Sequence, residues 1–163
     1  MPGTGSRALA VIDIDGVLAD VRHRLAHVSG RPKDWAAFFA AAGDDPLLAQ
    51  GAHTARRLAE VYDVVYLSGR PESLRSMTQR WLEVHDLPRG PLRLRPRRDF
   101  RPSRVFKVEA LRELARTTPV AVLVDDDPAV LEAARLAGFD VLPATWMGEH
   151  PELRAAQEDE GRT

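Results

Sequence analysis

The sequence predicts an α/β fold, namely a three-layer, Rossmann-like parallel sheet with helices on both faces. Short apolar runs recur along the chain, the first over residues 8–12, and such runs are typical of strands buried on both sides. Stretches with helical periodicity separate the runs, which implies parallel strands joined by right-handed crossovers. Polar residues directly follow several of the runs, as expected where parallel strands end at a shared edge.

Five strands are expected from these apolar runs. The second is interrupted by the polar Asp63, and the third is the least apolar because it carries arginines. The last begins after Gly138, the expected end of the preceding helix. The predicted strands cover residues 9–14, 61–67, 92–94, 120–124 and 139–142.

Helices are expected between the strands, where apolar residues recur at helical spacing. Pro32 and Asp34 mark the start of one helix. Pro71 suits the first turn of another, and Ser103 is placed to cap a third. The main helices are predicted over residues 48–60, 71–85, 103–116 and 128–137.

The composition is that of an ordinary globular protein. The 163 residues are 44% hydrophobic and 29% charged with a net charge of -1, so no global field attracts nucleic acid or membranes. The chain has no cysteine, which excludes disulfides, zinc–thiolate sites and a cysteine nucleophile. No apolar run reaches the roughly 18 residues of a membrane span, and no signal peptide is evident, so we expect a cytoplasmic protein.

One folded domain is expected over residues 8–150. Residues 1–7 are predicted to be a flexible leader, and residues 151–163 a polar tail with a frayed end. Residues 19–60 leave room for a small helical insert and for the helix that crosses back to the second strand. The aromatic residues of this insert are predicted to form its core rather than a base-binding patch, and they are Trp35, Phe38 and Phe39.

Polar side chains follow three of the predicted strands. Asp13 and Asp15 lie at the end of the first strand, Ser68 follows the second, and the acidic residues 125–127 follow the fourth. Clustered carboxylates repel one another unless a cation joins them, and ligand sets made only of oxygen favour magnesium. Such a site suits phosphoryl transfer, for which an aspartate nucleophile is known chemistry.

Four segments resemble, in order, the four motifs of the haloacid dehalogenase (HAD) superfamily of phosphohydrolases. They are Asp13-Ile14-Asp15-Gly16-Val17, Ser68-Gly69-Arg70, Lys107 and Val122-Leu123-Val124-Asp125-Asp126. The resemblance covers residues 9–146. The chain is more closely similar to the 3′-phosphatase domain of phage polynucleotide kinases. This resemblance rests on Ser-Gly-Arg after the second strand, the acidic pair after the fourth, and Asp-Gly-Val-Leu-Ala-Asp followed by His23 and Arg24. The sequence contains no Gly-x-x-x-x-Gly-Lys-Ser/Thr loop of a kinase half.

The resemblance implies a role for each catalytic residue. Asp13 would attack phosphorus and form an aspartyl-phosphate, while Ser68 would donate to the phosphate and Lys107 would neutralise charge. Asp15 would protonate the leaving alcohol and then activate water. Because a free aspartate titrates near ~3.9, we expect the pKa of Asp15 to be raised by a neighbouring carboxylate and partial burial.

The resemblance also implies the ligands of a Mg²⁺ cofactor. These are Asp13, the backbone carbonyl of Asp15, and one of the later aspartates. We favour Asp126 as the ligand with Asp125 behind it, although the residues alone leave both open. Asp127 is expected to cap the following helix.

The candidate substrate-binding residues are Gly69, Arg70, His23 and Arg24. The small insert implies a small or absent cap and therefore an open site. A basic run between Arg89 and Arg104 holds seven arginines, offset only by Asp99. Such a run either contacts a polyanion, such as a DNA or RNA end, or forms a solvated loop.

The leading hypothesis is a Mg²⁺-dependent phosphomonoesterase acting on nucleic-acid 3′-phosphate ends or nucleotides. The alternatives are a HAD phosphatase of small metabolites, a receiver-like phospho-accepting module and a catalytically silent HAD-like subunit. The order of residues argues against a receiver, because Lys107 precedes the last acidic cluster instead of following the final strands. No membrane association is expected, and no protein partner can be inferred.

Overall fold

Five parallel strands form one sheet in the order β3-β2-β1-β4-β5 in the computed structural model, which describes residues 6–163. Every neighbouring pair of strands is parallel, so the predicted α/β fold is confirmed. The strands are β1 (Leu9–Ile12), β2 (Asp63–Pro71), β3 (Leu92–Arg95), β4 (Val120–Asp125) and β5 (Val141–Pro143).

The helices connect these strands and cover the sheet. They are α1 (Ala26–Ser29), α2 (Trp35–Ala40), α3 (Ala49–Ala59), α4 (Arg75–Val84), α5 (Ser103–Ala115), α6 (Pro128–Leu136) and α7 (Pro151–Arg154). Short 3₁₀ turns lie at Arg22–Arg24, Ala41–Asp44 and Glu72–Leu74, and a π turn follows α7 at Ala155–Asp159.

The sheet and the helices on its two faces form three layers, and a hydrophobic cluster lies at each of the two interfaces between them. Successive strand residues point to opposite faces, so Ile12 joins the cluster with α3 and α4, whereas Val11 joins the one with α5 and α6. Both side chains are fully buried. The central strand β1 is thereby covered on both sides, which holds its carboxyl end in place.

The strand order also separates this sheet from that of a receiver. The order of receiver-like flavodoxin folds is 2-1-3-4-5, whereas this sheet has 3-2-1-4-5. Both orders reverse direction beside β1, so the crevice outside its carboxyl end is the expected ligand site. The receiver-like alternative does not agree with this topology.

A third, smaller hydrophobic cluster lies outside the sheet layers. It joins the insert to the polar tail, which we define as residues 151–163. Val28 and Phe38 of the insert pack here with Met147 and with Leu153 of the tail, and all four are buried. The predicted frayed end is wrong, because Leu153 anchors the tail and Thr163 is itself buried.

Several boundaries differ from those predicted. β1 ends at Ile12, so Asp13 and Asp15 lie just beyond it. β2 continues to Pro71 instead of ending before Ser68, and α4 begins only at Arg75. The least apolar predicted strand, β3, is present because its outermost residue, Arg95, is hydrogen-bonded within the fold.

Arg95 serves as a buried structural residue of the basic run. Its guanidinium donates to the carbonyl oxygens of Gly69 (3.1 Å) and Arg101 (2.7 Å) and to Ser103 Oγ (3.0 Å). These contacts join β2, β3 and α5. Ser103 therefore begins α5 without the predicted side-chain cap.

The structure describes only the last two residues of the predicted leader. Residues 1–5 of the predicted leader lie outside the described residues, while Arg7 donates to the carbonyl oxygen of Val61 (2.8 Å). In residues 6–163, no helix has the length and apolarity needed to cross a membrane.

Replacing Arg95 with methionine should destabilise the fold. Arg95→Met leaves buried acceptors without donors, and each such loss costs about 1–3 kcal/mol. Urea unfolding should therefore show a loss of about 2 kcal/mol or more. Arg97→Met, at an exposed position of the same run, is the matched control and should change stability by less than about 0.5 kcal/mol. Equal effects would contradict the structural role of Arg95.

Candidate active site

Asp13 lies at the carboxyl end of β1 beside a buried lysine. Its backbone N–H donates to the carbonyl oxygen of Val124, which continues the pairing between β1 and β4. Lys107 Nζ from α5 lies 2.8 Å from Asp13 Oδ2 and 2.7 Å from Asp125 Oδ2. All three charged side chains are almost completely buried. The structure therefore brings together three motifs that are far apart in the sequence.

The carboxylates of Asp13, Asp125 and Asp126 form a compact cluster. One oxygen from each lies within 4.8 Å of the others, a spacing that suits one shared cation. Gly16 makes this possible, since its φ is +79° and a Cβ there would collide with Asp126. The glycine of the first motif thus provides both the sharp turn and the room for the last acidic residue.

The hydrogen bonds of the two later aspartates differ. Asp125 uses both oxygens, one for Lys107 and one for the backbone N–H of Asp127 (3.0 Å). Asp126 Oδ2 accepts a hydrogen bond from Arg154 Nη1 at 2.6 Å, but the buried Oδ1 of Asp126 has no donor among residues 6–163. An ionised buried oxygen without a partner is costly, and a divalent cation would relieve that cost.

The electrostatics of the cluster also fit a cation. Burial raises the pKa of Asp13 well above its usual value; Lys107 opposes this rise, and Asp125 and Asp126 add to it. Burial and the charge of Asp125 raise the pKa of Asp126 to about 6, against the effect of Arg154. Three carboxylates around one ammonium group leave an excess of negative charge, so the residues present fit Mg²⁺.

Asp15 lies in a separate network of two arginines. Arg70 donates from Nε to Asp15 Oδ1 at 2.8 Å, and Arg24 donates from Nη2 to the same oxygen at 3.0 Å. Burial alone would raise the pKa of Asp15, but Arg70, Arg24 and the hydroxyl of Thr163 lower it below its usual value. The expected rise is therefore wrong for this structure, because two arginines and the Thr163 hydroxyl outweigh the effect of burial.

Asp45, which no sequence motif marks, completes this network. Its carboxylate accepts from Arg24 Nε (2.7 Å) and Arg70 Nη2 (2.8 Å), and it lies 2.7 Å from His23 Nε2. Both arginines are fully buried, while His23 is 37% exposed. No local pattern marks Asp45, because its partners lie 21, 22 and 25 residues away in the chain.

Ser68 and Gly69 lie at the same edge, at the outer end of β2. Ser68 is fully buried, and its Oγ accepts from the backbone N–H of Arg70 at 3.2 Å. Gly69 packs directly against Thr163, and a Cβ on Gly69 would overlap its backbone. The structure thus brings the four predicted catalytic residues to one edge, together with the predicted substrate-binding residues.

The tail covers this edge, so the expected open site is wrong. Thr163 Oγ1 donates to Asp15 Oδ2 at 2.5 Å, and its carbonyl oxygen accepts from Ser103 Oγ at 2.7 Å. Arg154 holds Asp126, as described above. The small insert predicted an uncovered edge. The segment that covers it is the tail, whose polarity had suggested a loose end.

Asp127 has the expected structural role. Its Oδ1 accepts from the backbone N–H of Ala129 at 2.9 Å and caps α6. Burial and the nearby carboxylates of Glu158 and Asp125 raise its pKa to about 8. The helix cap and the tail therefore meet at this residue, next to the acidic cluster.

Several arginines of the basic run form ion pairs with acidic side chains, most of which lie outside the run. Arg93 pairs with Glu113 (2.9 Å), Arg101 with Asp99 and Glu109 (2.7 and 2.5 Å), and Arg104 with Glu158 (2.5 Å). The run is thus offset by more than Asp99. Arg97 and Arg98 form no ion pair with any residue the structure describes.

One protein family matches most of the chain. Residues 7–145 match the family described as the polynucleotide kinase PNKP phosphatase domain. A comparison with curated protein sequences found no match.

Solved structures show the same fold at low identity. A chain of the Pnkp1/Rnl/Hen1 RNA repair complex is 24% identical with a TM-score of 0.68, over 86% of this chain and 43% of that one. A haloacid dehalogenase-like hydrolase from Streptococcus pneumoniae is 16% identical with a TM-score of 0.60, over 94% and 92%. The magnesium-bound YfnB of Bacillus subtilis is 8% identical with a TM-score of 0.55, over 84% and 88%. The chain therefore spans less than half the length of the RNA-repair chain.

Removing the charge of Asp45 should destabilise the protein. Asp45→Asn leaves two buried arginines facing one carboxylate, and breaking a buried pair costs about 3–5 kcal/mol. Chemical unfolding should show a loss of that size. Asp44→Asn, at the exposed neighbouring position, is the control and should have almost no effect. A stable Asp45→Asn protein would show that the network does not depend on this carboxylate.

The acidic cluster predicts a stability that depends on pH and metal. The pKa values of Asp126 and Asp127, about 6 and about 8, exceed the ordinary 3.8, so the folded state binds these protons more tightly than the unfolded state. Stability in chelator should therefore fall by about 2 kcal/mol or more as pH rises from about 5 to 8. Carboxylates with lowered pKa values, such as Asp15, stabilise the folded state throughout this pH range and lose that effect only at lower pH.

Millimolar Mg²⁺ at pH 8 should restore the melting temperature, because it compensates the charges that appear. Thermal unfolding with and without chelator measures this effect. Asp126→Asn should abolish most of the response to Mg²⁺. A stability in chelator that rises between pH 5 and 8 would contradict the predicted sign.

Proposed function

Because the chain belongs to the family of polynucleotide kinase PNKP phosphatase domains, and is a HAD-type phosphatase, we propose that it hydrolyses phosphomonoesters at nucleic-acid ends with Asp13 as nucleophile. One observation carries this proposal: Asp13 lies within ion-pair distance of Lys107 and within one cation's reach of Asp125 and Asp126. A carboxylate so placed can face a phosphoryl group whose charge is balanced from both sides.

Asp13 would begin the reaction. One of its carboxylate oxygens forms a bond to phosphorus as the ester P–O bond breaks, which leaves an aspartyl-phosphate on Asp13. Lys107 offsets negative charge on Asp13 and on the transferred group. Ser68 lies at the same edge, where its hydroxyl can donate to a phosphate oxygen.

Asp15 would move the proton in both steps. It is held ionised by Arg24, Arg70 and Thr163 in this structure, which is the form needed to take a proton from water. To protonate the leaving alcohol first, its pKa must rise. Displacement of Thr163 by substrate removes one hydrogen bond to the ionised form, and an arriving phosphate dianion adds negative charge nearby, so both changes act in that direction.

The residues suited to hold Mg²⁺ are Asp13, Asp126 and the backbone carbonyl of Asp15. Asp126 is the better direct ligand because its Oδ1 has no donor in the described part of the chain, whereas Asp125 is engaged by Lys107. A bound Mg²⁺ would neutralise phosphate charge and orient the phosphoryl group. The magnesium-bound structure of the YfnB fold relative supports this choice of metal.

Two findings support nucleic-acid ends as the substrate class. The family model is that of a polynucleotide kinase phosphatase domain, and one fold relative belongs to an RNA repair complex. The exposed Arg97 and Arg98 have no acidic partner among residues 6–163 and can contact a backbone phosphate. Hydrolysis of small metabolites is the second candidate, because the covered edge favours a small phosphate ester.

The test is phosphate release from four substrate classes with Mg²⁺ and with chelator. They are a 3′-phosphorylated oligonucleotide, its 5′-phosphorylated counterpart, mononucleotides and an aryl phosphate. We expect Mg²⁺-dependent turnover that favours the 3′-phosphorylated end. Turnover of only the small esters would replace the nucleic-acid substrate with the metabolite one.

Asp13→Asn should lower turnover on the order of 10³-fold or more, because the amide cannot act as the nucleophile. Asp140→Asn, at an exposed position before β5, is the control and should retain wild-type rates. Acid-quenched protein incubated with ³²P-labelled substrate should carry label only when Asp13 is present. Unchanged activity in Asp13→Asn would overturn the assignment of the nucleophile.

A further inference from the structure

Two aromatic rings from different parts of the chain hold one arginine of the tail. The Arg162 guanidinium carbon lies 5.2 Å from the ring centroid of Trp35 and 4.7 Å from that of Phe100. Trp35 begins α2 in the insert, and Phe100 lies in the loop before α5. The two rings therefore form a site that exists only in the folded chain and that accepts a flat, charged group.

Both rings keep surface that is not buried in the hydrophobic core. Phe100 is 54% exposed and belongs to none of the buried clusters, while Trp35 is only partly buried. Phe38 and Phe39 lie against Trp35, with ring centroids 5.8 and 6.0 Å away, and thus fix its orientation. Trp35 therefore packs on the core of the insert and presents ring surface as well, which differs from the predicted purely structural role.

A cavity lies beside Phe100 and Arg162. It has a volume of about 320 Å³, and Phe39, Phe100, Arg97, Arg98 and Arg162 are among its lining residues. A pocket of this size can hold a ligand part of the order of a base, and its arginines suit the phosphates attached to it.

The aromatic pair is one residue away from the candidate active site. Thr163, which follows Arg162, donates to Asp15 and packs on Gly69. Adjacent Cα atoms are about 3.8 Å apart, so neighbouring residues of the tail contact the ring pair and Asp15. Arg162 thus occupies a site suited to a flat group, and Thr163 occupies the neighbouring site at Asp15, which suits a polar group.

We propose that Trp35 and Phe100 bind the base of the terminal, phosphate-bearing nucleotide, and that Arg162 fills this subsite in the free protein. This inference rests on the proposed function and names the part of the substrate that the site recognises. A base can replace a guanidinium here because both are planar and both stack on aromatic rings. Substrate binding then requires that residues 162 and 163 leave.

The test compares two 3′-phosphorylated oligonucleotides that differ only in the terminal base. One carries a normal 3′-terminal nucleotide and the other an abasic one with the same phosphate. For the wild-type protein, kcat/KM should favour the base-bearing end. Phe100→Leu should reduce this preference about ten-fold through KM, because one stacking surface is lost. Trp35→Leu should act in the same direction.

Tyr62→Leu is the control, since Tyr62 lies just before β2, at the opposite edge of the sheet, and should leave the preference unchanged. Arg162→Ala should increase the preference several-fold because it empties the subsite. If Phe100→Leu changes both substrates equally or neither, the base subsite is overturned while the proposed phosphatase function stands.

Binding provides a readout that does not depend on turnover. Fluorescence anisotropy of the two oligonucleotides, labelled at the 5′ end, is measured in chelator with the same variants. Tighter binding of the base-bearing end, lost in Phe100→Leu, supports the subsite even if no substrate is hydrolysed. Equal binding of both ends by the wild type would overturn it.

Discussion

Six buried aspartates lie at or beside one edge of the sheet. The rest of the site must offset the repulsion between their charges. The six are Asp13, Asp15, Asp45, Asp125, Asp126 and Asp127. Buried charges persist only when they are paired, and the chain meets this need with two separate groups of cations. Lys107 serves the cluster around Asp13, whereas Arg24 and Arg70 serve Asp15 and Asp45.

This division gives two neighbouring carboxylates opposite properties. Burial and other carboxylates raise the pKa of Asp13, while two arginines lower that of Asp15. Within the first group, one ammonium faces three carboxylates, which leaves a deficit of positive charge suited to a divalent cation. In the second, two arginines balance two carboxylates, so that group stands complete without a metal.

The tail supplies part of the missing positive charge. Arg154 holds Asp126 at 2.6 Å, and Thr163 donates to Asp15, so the same segment reaches both carboxylate groups. Its position depends on the insert, because Leu153 packs with Phe38 and because Glu160 pairs with Lys33. The cover over the site is therefore built jointly by the insert between β1 and β2 and by the tail after β5.

The sequence alone determined the sheet and the polar residues that lie together at its carboxyl edge. Apolar runs and turn residues are local signals, and parallel strands must end at one edge. The sequence therefore places Asp13, Ser68 and the acidic residues at the end of β4 together. The turn at Gly16 was likewise predictable, although its closeness to Asp126 was not.

Only the tertiary structure decided which charges pair. Asp45 meets Arg24 and Arg70 across more than twenty residues of chain, and Thr163 meets Asp15 across 148. It also paired Arg93, Arg101 and Arg104 with glutamates, which left the basic run far less positive than its sequence indicates. Composition and periodicity describe each segment by itself, whereas ion pairing and burial depend on distances that are set when the segments pack.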